Sequence, residues 1–194
     1  VHVVKEKGEM NMIKSITIIG SGVMGCGIAQ SFALNGYLVI INDLKEEYLS
    51  KAQKTISGNL ALLIEEGTLT QEEMQDALNH ITYRVDLDVA VRDADFIIEA
   101  IPEVIELKWG LYHQLEQLIK PNSIIASNTS TFPISLLMKE SSFADRMVIT
   151  HFFNPAHLVP LVEIVQHDET NPKVVEVTLD LMRKIGKSPV LLKK

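Results

Sequence analysis

A Gly-x-Gly-x-x-Gly turn follows an apolar run near the start of the chain, and it constrains the fold more than any other feature. Residues 16–19 predict a buried strand, and glycines follow at positions 20, 22 and 25. This spacing allows a tight turn, close approach of the backbone to a pyrophosphate, and close packing of helix on strand. A helix over residues 26–35 would then offer free N–H groups to the phosphates. The pattern predicts a dinucleotide-binding fold.

An acidic residue ends the next apolar run. Residues 39–43 predict a second strand, and its last residue, Asp43, lies at about the spacing expected of a carboxylate that binds ribose hydroxyls. Because that carboxylate would repel the 2′-phosphate of NADP, we predict NAD as the cofactor. The predicted cofactor-binding residues of this region are Gly20, Ser21, Gly22, Val23, Met24, Gly25 and Asp43.

The rest of the chain alternates strand and helix patterns, which predicts a mostly parallel, doubly wound α/β sheet of the Rossmann type. Helical patterns over residues 44–66 and 70–80 predict a helical pair inserted after the second strand. The later runs predict antiparallel strands near the C-terminus. Further predicted strands cover residues 81–84, 96–100, 124–128, 147–153, 161–166 and 189–192, and further helices cover residues 86–92 (a short helix or turn), 105–119 and 171–185.

Composition limits the possible partners. The net charge of −7 argues against nucleic acid or an anionic membrane as a partner. No apolar run has membrane-spanning length, and we predict a cytoplasmic protein without a metal site. The single cysteine, Cys26, excludes a disulfide within the chain and is expected to pack as a small apolar residue. Residues 1–11 are interpreted as a leader or cloning remnant, and residues 12–194 as one NAD-binding domain.

A second group of polar residues surrounds two late strands. If residues 147–153 and 161–166 form a hairpin centred near His157, then His151 and Glu163 face each other. The carboxylate would fix the imidazole tautomer and stabilise the imidazolium, which is how a general base for alcohol oxidation is built. A core histidine beside a solvated strand glutamate is the alternative, and the spacing alone leaves both open.

Three segments in this order resemble the 3-hydroxyacyl-CoA dehydrogenase family, and within it the bacterial 3-hydroxybutyryl-CoA dehydrogenases. They are the loop Gly-Ser-Gly-Val-Met-Gly-Cys-Gly-Ile-Ala-Gln, the run Ser127-Asn128-Thr129-Ser130, and the run His151-Phe152-Phe153-Asn154-Pro155. The resemblance extends over residues 13–194. It implies oxidation of the 3-hydroxyl of a 3-hydroxyacyl-CoA to a ketone with NAD, and the reverse reaction.

The resemblance also implies roles for single residues. It places the catalytic base at His151, its orienting carboxylate at Glu163, and a hydroxyl that holds the substrate oxygen and the nicotinamide end at Ser130. Substrate contacts thus fall on Ser130 and His151. It further implies NAD contacts at Asn154, Glu103 and Lys108. For Glu103 and Lys108 a solvated acid and lysine early in a helix are the alternative.

The resemblance implies an acyl-CoA substrate and a larger protein. The helical pair falls where the family contacts CoA, but Glu66 stands where a lysine for a CoA phosphate is expected. The family continues into a C-terminal helical domain with the dimer interface, and we expect this chain to be a fragment without that domain. We therefore expect a homodimer of the longer protein and doubtful turnover by this chain alone.

Two other functions stay open at this point. Another NAD-dependent hydroxyacid dehydrogenase would share the glycine turn but use a lysine on a later helix as its base. A non-catalytic NAD-binding protein on the same fold would need no facing histidine and glutamate.

Overall fold

The computed structural model describes residues 13–139 and 141–192 of the chain. The predicted leader, residues 1–11, lies outside this part. The strands of the described part are β1 Ser15–Ile19, β2 Leu38–Asn42, β3 Ile81–Arg84, β4 Phe96–Glu99, β5 Ile124–Ser127, β6 Met147–Phe152, β7 Leu161–Val165 and β8 Ser188–Leu191. Its α-helices are α1 Val23–Ala33, α2 Glu46–Glu65, α3 Gln71–Asn79, α4 Leu87–Val91, α5 Ile105–Leu118, α6 Ile134–Leu137 and α7 Pro172–Lys184, and a short 3-10 helix covers Ala144–Arg146.

The strands form one sheet in the order β3-β2-β1-β4-β5-β6-β7-β8. Strands β1 to β6 pair in parallel, β7 runs antiparallel to β6, and β8 is parallel to β7. The predicted doubly wound sheet with antiparallel strands near the C-terminus is therefore confirmed. The strand order reverses beside β1, and ligands of such sheets bind at the carboxyl ends of the strands at that point.

Alternate residues of the central strands face two different helical layers. Ile16 and Ile18 of β1 pack in a core with α1, α2 and α7, whereas Ile97 of β4 packs in a core with α4, α5 and α6. This alternation follows from the two-residue period of a strand. Because helices cover both faces of the sheet, a ligand can bind where the strands end, at their carboxyl ends.

The helical pair α2 and α3 follows β2 as predicted. Helix α2 ends at Glu65, and Gly67 just beyond its C-cap has a φ of +69°, which suits glycine. Helix α3 starts with a capping box, in which Thr70 Oγ1 accepts from the Glu73 amide at 3.2 Å and Glu73 Oε2 accepts from the Thr70 amide at 2.8 Å. Helix α6 was not predicted, because four residues after a proline carry too little periodicity to be recognised.

Candidate active site

The turn after β1 has a shape that only glycine can adopt at two positions. Gly20 has a φ of +104°, and a Cβ built there would lie 2.5 Å from the Ala100 carbonyl oxygen. A Cβ at Gly25 would lie 1.9 Å from the Gly20 carbonyl oxygen. We call residues 20–25 the glycine cradle. At Gly20 and Gly25 its shape is fixed by close backbone contacts that leave no room for a side chain.

The open side of the glycine cradle fits a pyrophosphate. A Cβ at Gly22 would meet no atom within 4 Å, so a ligand can approach the backbone there. Gly22 is also the N-cap of α1, without a side-chain cap and without an acidic residue in the first turn. The first amides of α1 and the positive end of its dipole therefore face this space, which is the arrangement that binds phosphate.

The Asp43 carboxylate lies directly after β2, beside the glycine cradle. Its Oδ2 accepts hydrogen bonds from the Ser21 amide at 2.8 Å and the Ser21 hydroxyl at 2.6 Å, and its Oδ1 accepts from the Leu44 amide at 2.7 Å. These bonds fix the carboxylate at a cavity of about 250 Å³. The cavity is lined by Ser21, Gly22, Val23, Cys26, Asp43, Tyr48, Lys51 and Thr55. The arrangement places an anion where a ribose would follow the pyrophosphate.

Cys26 contributes packing at the base of this cavity. Its side chain is 2% exposed, and burial raises the pKa of the thiol to about 11. The thiol therefore stays protonated at neutral pH, and a protonated thiol is a poor nucleophile. The expectation that Cys26 packs as a small apolar residue is confirmed.

The hairpin of β6 and β7 brings the predicted imidazole and carboxylate together. His151 pairs with Glu163 in the antiparallel register, and His151 Nδ1 lies 2.9 Å from Glu163 Oε2. The predicted facing of these residues is confirmed, and a core histidine is excluded because 22% of the His151 side chain is exposed. With Nδ1–H donated to the carboxylate, Nε2 keeps a free lone pair that can accept a proton.

Both residues line a cavity of about 500 Å³ at the carboxyl edge of the sheet. Ser130, in the loop after β5, is exposed and lines the same cavity. We call residues 129–131 the serine loop. The structure therefore brings together His151, Glu163 and Ser130, which the resemblance had grouped by role.

The carboxylate of Glu103, in the loop between β4 and α5, holds the serine loop. Glu103 Oε1 accepts from the amides of Ser130 at 3.1 Å and Thr131 at 3.2 Å. The hydroxyls of Thr129 and Thr131 donate to the same oxygen. Burial raises the pKa of the Glu103 carboxyl, but hydrogen bonds from the two threonines and from Lys108 outweigh it and lower that pKa to about 2. Glu103 is thus an anion at neutral pH.

Lys108 lies beneath this carboxylate with only 1% of its surface exposed, so the alternative of a solvated lysine is wrong. Its ammonium lies 2.7 Å from Glu99 Oε1 and 3.1 Å from Glu103 Oε2. Glu99 is fully buried and also accepts from the Tyr112 and Ser127 hydroxyls at 2.9 and 2.6 Å. NAD contacts of Glu103 and Lys108 stay predictions.

Sequence reasoning missed two residues of this region. Glu99 ends an otherwise apolar strand. An acidic residue in a buried run indicates an internal ion pair, and this signal could have identified Glu99. Asn128 follows β5, and its Oδ1 accepts from the Phe152 amide at 3.0 Å. Asn128 thus ties the start of the serine loop to the strand that carries His151, a contact between segments far apart in sequence.

The connection between β6 and β7 is held on two sides. The buried ammonium of Lys187 donates to the carbonyl oxygens of Ala156 at 2.6 Å and Val159 at 3.0 Å. On the other side, a Cβ built at Gly27 of α1 would lie 3.1 Å from the Ala156 Cβ. Asn154 is exposed in this connection, and its predicted contact with the nicotinamide side of NAD stays a prediction.

Residues 15–194 match the family model described as 3-hydroxyacyl-CoA dehydrogenase, NAD binding domain. The chain belongs to the 3-hydroxyacyl-CoA dehydrogenase family. NAD, the cofactor predicted from the glycine turn and Asp43, is thereby confirmed for this dehydrogenase domain, and the glycine cradle fits it.

Relatives of this dehydrogenase domain are found in bacteria and plants. The probable 3-hydroxybutyryl-CoA dehydrogenase of Deinococcus radiodurans is 37% identical over 174 residues, which cover 89% of this chain and 62% of that protein. The peroxisomal fatty acid beta-oxidation multifunctional protein of Oryza sativa subsp. japonica is 33% identical over 180 residues, which cover 93% of this chain and 25% of that protein.

A solved structure shares the fold closely. The crystal structure of (S)-3-hydroxybutyryl-CoA dehydrogenase from Ralstonia eutropha matches with a TM-score of 0.91 at 33% identity, covering 94% of this chain and 64% of that one. The chain thus spans a quarter of the rice relative and less than two thirds of the two bacterial ones. The family assignment concerns the NAD-binding domain.

Two further features concern the described residues alone. None of their helices is both long enough and apolar enough to traverse a bilayer. Their His, Cys, Asp and Glu side chains form no group of three or more that could hold a metal ion.

Proposed function

We propose that this chain is the NAD-binding part of an enzyme that oxidises the 3-hydroxyl of a short-chain 3-hydroxyacyl-CoA to a ketone and catalyses the reverse reaction. The observation that carries the proposal is the contact of 2.9 Å between His151 Nδ1 and Glu163 Oε2 in an open cavity. A protein that only senses NAD needs no oriented base beside its cofactor site.

His151 acts as the general base in this proposal. Glu163 accepts the Nδ1 proton in a hydrogen bond, which leaves Nε2 to remove the proton of the substrate hydroxyl. The carboxylate then stabilises the imidazolium that forms. Ser130 donates a hydrogen bond to the substrate oxygen from the other side of the cavity. When bound, NAD accepts the hydride that leaves the substrate carbon.

Four groups of residues hold the cofactor in this proposal. The glycine cradle and the N-terminus of α1 hold the pyrophosphate, and Asp43 binds the adenosine ribose. Glu103, Lys108 and Asn154 lie toward the nicotinamide half. The open cavity beside His151 leaves room for an acyl chain.

The substrate class rests on the names of the relatives. The Deinococcus radiodurans and Ralstonia eutropha proteins are named 3-hydroxybutyryl-CoA dehydrogenases, which supports a short acyl chain attached to CoA.

A homodimer of the full-length gene product and a cytoplasmic location belong to the same proposal. Sedimentation and cell fractionation of that product test these two statements.

The full-length gene product tests the activity with acetoacetyl-CoA and NADH, in parallel with free acetoacetate and with NADH binding alone. Oxidation of NADH with acetoacetyl-CoA, and far slower oxidation with free acetoacetate, is the expected result. Turnover of small keto acids alone would favour another hydroxyacid dehydrogenase. NADH binding without turnover of either compound would make the protein a non-catalytic binder.

A further inference from the structure

Glu103 connects helix α5 with the serine loop, which lies in a different part of the sequence. One of its carboxylate oxygens, Oε2, lies 3.1 Å from the buried ammonium of Lys108 in α5. The other, Oε1, accepts every hydrogen bond that Glu103 receives from the serine loop. Because each oxygen has its own set of donors, the carboxylate is held in one orientation.

Lys108 is held in place by a second carboxylate, that of Glu99. Lys108 lies between Glu99, which is fully buried, and Glu103, whose side chain is 34% exposed. Glu99 in turn accepts from the Ile101 amide at 2.9 Å and from the Ser127 hydroxyl at the end of β5. The lysine is therefore anchored to β4 and β5, and Glu103 transmits that position to the loop that follows β5.

We propose that Glu103, fixed by Lys108, is a positioning residue that holds the serine loop so that the Ser130 hydroxyl faces His151 across the cavity. The proposal rests on the proposed function, because it assigns Ser130 to the reacting oxygen. Glu103 affects turnover through the backbone of Ser130 and Thr131, and this effect is separate from any contact of its own with NAD.

The Glu103→Gln variant disrupts this arrangement with little change in size. An amide has one acceptor oxygen, so its NH₂ group must face either the Lys108 ammonium or the donors of the serine loop. Either orientation loses hydrogen bonds and places donors against donors. Glu106→Gln is the matched control, because Glu106 is exposed in the first turn of α5, three residues after Glu103. Lys108→Met is less suitable, since it leaves the buried Glu99 carboxylate without its cation.

A double-mutant cycle with Ser130→Ala in the full-length gene product tests the proposal. Glu103→Gln is expected to lower kcat/KM for acetoacetyl-CoA by roughly tenfold, since small misplacements of positioning groups have effects of this size or larger. In the Ser130→Ala background the same change is expected to cost less than about twofold, because residues that act as a unit are not additive. Glu106→Gln should leave kcat/KM unchanged in both backgrounds.

Amide hydrogen exchange of this chain gives a readout that does not depend on turnover. In Glu103→Gln the amides of Ser130 and Thr131 should exchange faster by roughly tenfold or more, since their carboxylate acceptor is replaced by a weaker neutral oxygen or by none. Unchanged exchange, or full additivity with Ser130→Ala, would overturn the positioning role. If exchange quickens while Ser130→Ala and His151→Gln keep full activity, the loop is held as inferred and the proposed function fails instead.

Discussion

The glycine cradle and the cavity around His151 lie at the same edge of the sheet but are built in different ways. The cradle is one continuous stretch, and contacts as close as the 1.9 Å that a Cβ at Gly25 would make with the Gly20 carbonyl oxygen define its shape. The second region is assembled from side chains of β4, β5, β6 and β7, joined by charges and hydrogen bonds. Substitutions in the cradle should therefore act through sterics, and those around His151 through proton transfer and charge.

The largest effect is expected at His151. His151→Gln should lower kcat of the full-length gene product by about two orders of magnitude or more, because the amide cannot remove a proton. NADH binding should stay within about twofold, since no part of the glycine cradle changes. Steady-state kinetics with acetoacetyl-CoA and fluorescence titration with NADH measure the two effects.

His113→Gln provides the control for this prediction, because His113 is exposed on α5 and its side chain is 58% accessible. It should retain the original turnover. Near-native turnover in His151→Gln would show that His151 is not the general base. Substitutions around His151 would then not act through proton transfer, and the two regions would not differ in this way.

Two alanine substitutions separate folding from binding in the glycine cradle. Gly25→Ala should lower the free energy of unfolding by roughly 3 kcal/mol, because its Cβ would overlap the Gly20 carbonyl oxygen and overpacking has costs of this order. Gly22→Ala should leave the free energy of unfolding within about 1 kcal/mol, since its Cβ meets open space. It should nonetheless weaken NADH binding by roughly tenfold or more, because the methyl group occupies the approach of the pyrophosphate.

Urea unfolding and NADH titration of this chain measure both variants. Gly58→Ala is the control, since a Cβ there also meets nothing within 4 Å and the residue lies inside α2, away from the cradle. It should be neutral or stabilising. Unchanged NADH affinity in Gly22→Ala would contradict the steric account of the cradle.

A smaller effect is expected at Asp43. Asp43→Ala should raise the affinity for NADPH relative to NADH by roughly tenfold, because the anion that repels a 2′-phosphate is removed. Fluorescence titration with both cofactors measures the ratio. Glu72→Ala removes the same charge from the exposed first turn of α3 and should leave the ratio unchanged. An unaltered ratio in Asp43→Ala would assign cofactor choice to other residues.

The smallest effect concerns Cys26. Since burial raises its thiol pKa to about 11 and only 2% of the residue is exposed, iodoacetamide at pH 7.5 should label the folded chain far more slowly than the chain in urea. Mass spectrometry over time measures the labelling. Rapid labelling of the folded chain would show that a reactive group lies beside the glycine cradle and not only around His151.

The same contrast explains what the sequence could and could not predict. The cradle, the mostly parallel sheet and the pairing of His151 with Glu163 follow from local periodicity and from symmetric spacing about one turn. The burial of Lys108 between Glu99 and Glu103 was not predicted. It depends on how α5 packs on β4 and β5, and an acid followed five positions later by a lysine is also typical of a solvated helix.

Helix α1 touches both the glycine cradle and the β6–β7 connection, and its length fixes the distance between them. The helix begins at the cradle and abuts the β6–β7 connection at Gly27, five residues after Gly22. At about 1.5 Å of rise per residue, these two points lie roughly 7.5 Å apart along a rigid rod. A bulkier residue at position 27 would therefore push the β6–β7 connection away from the helix whose N-terminus faces the glycine cradle.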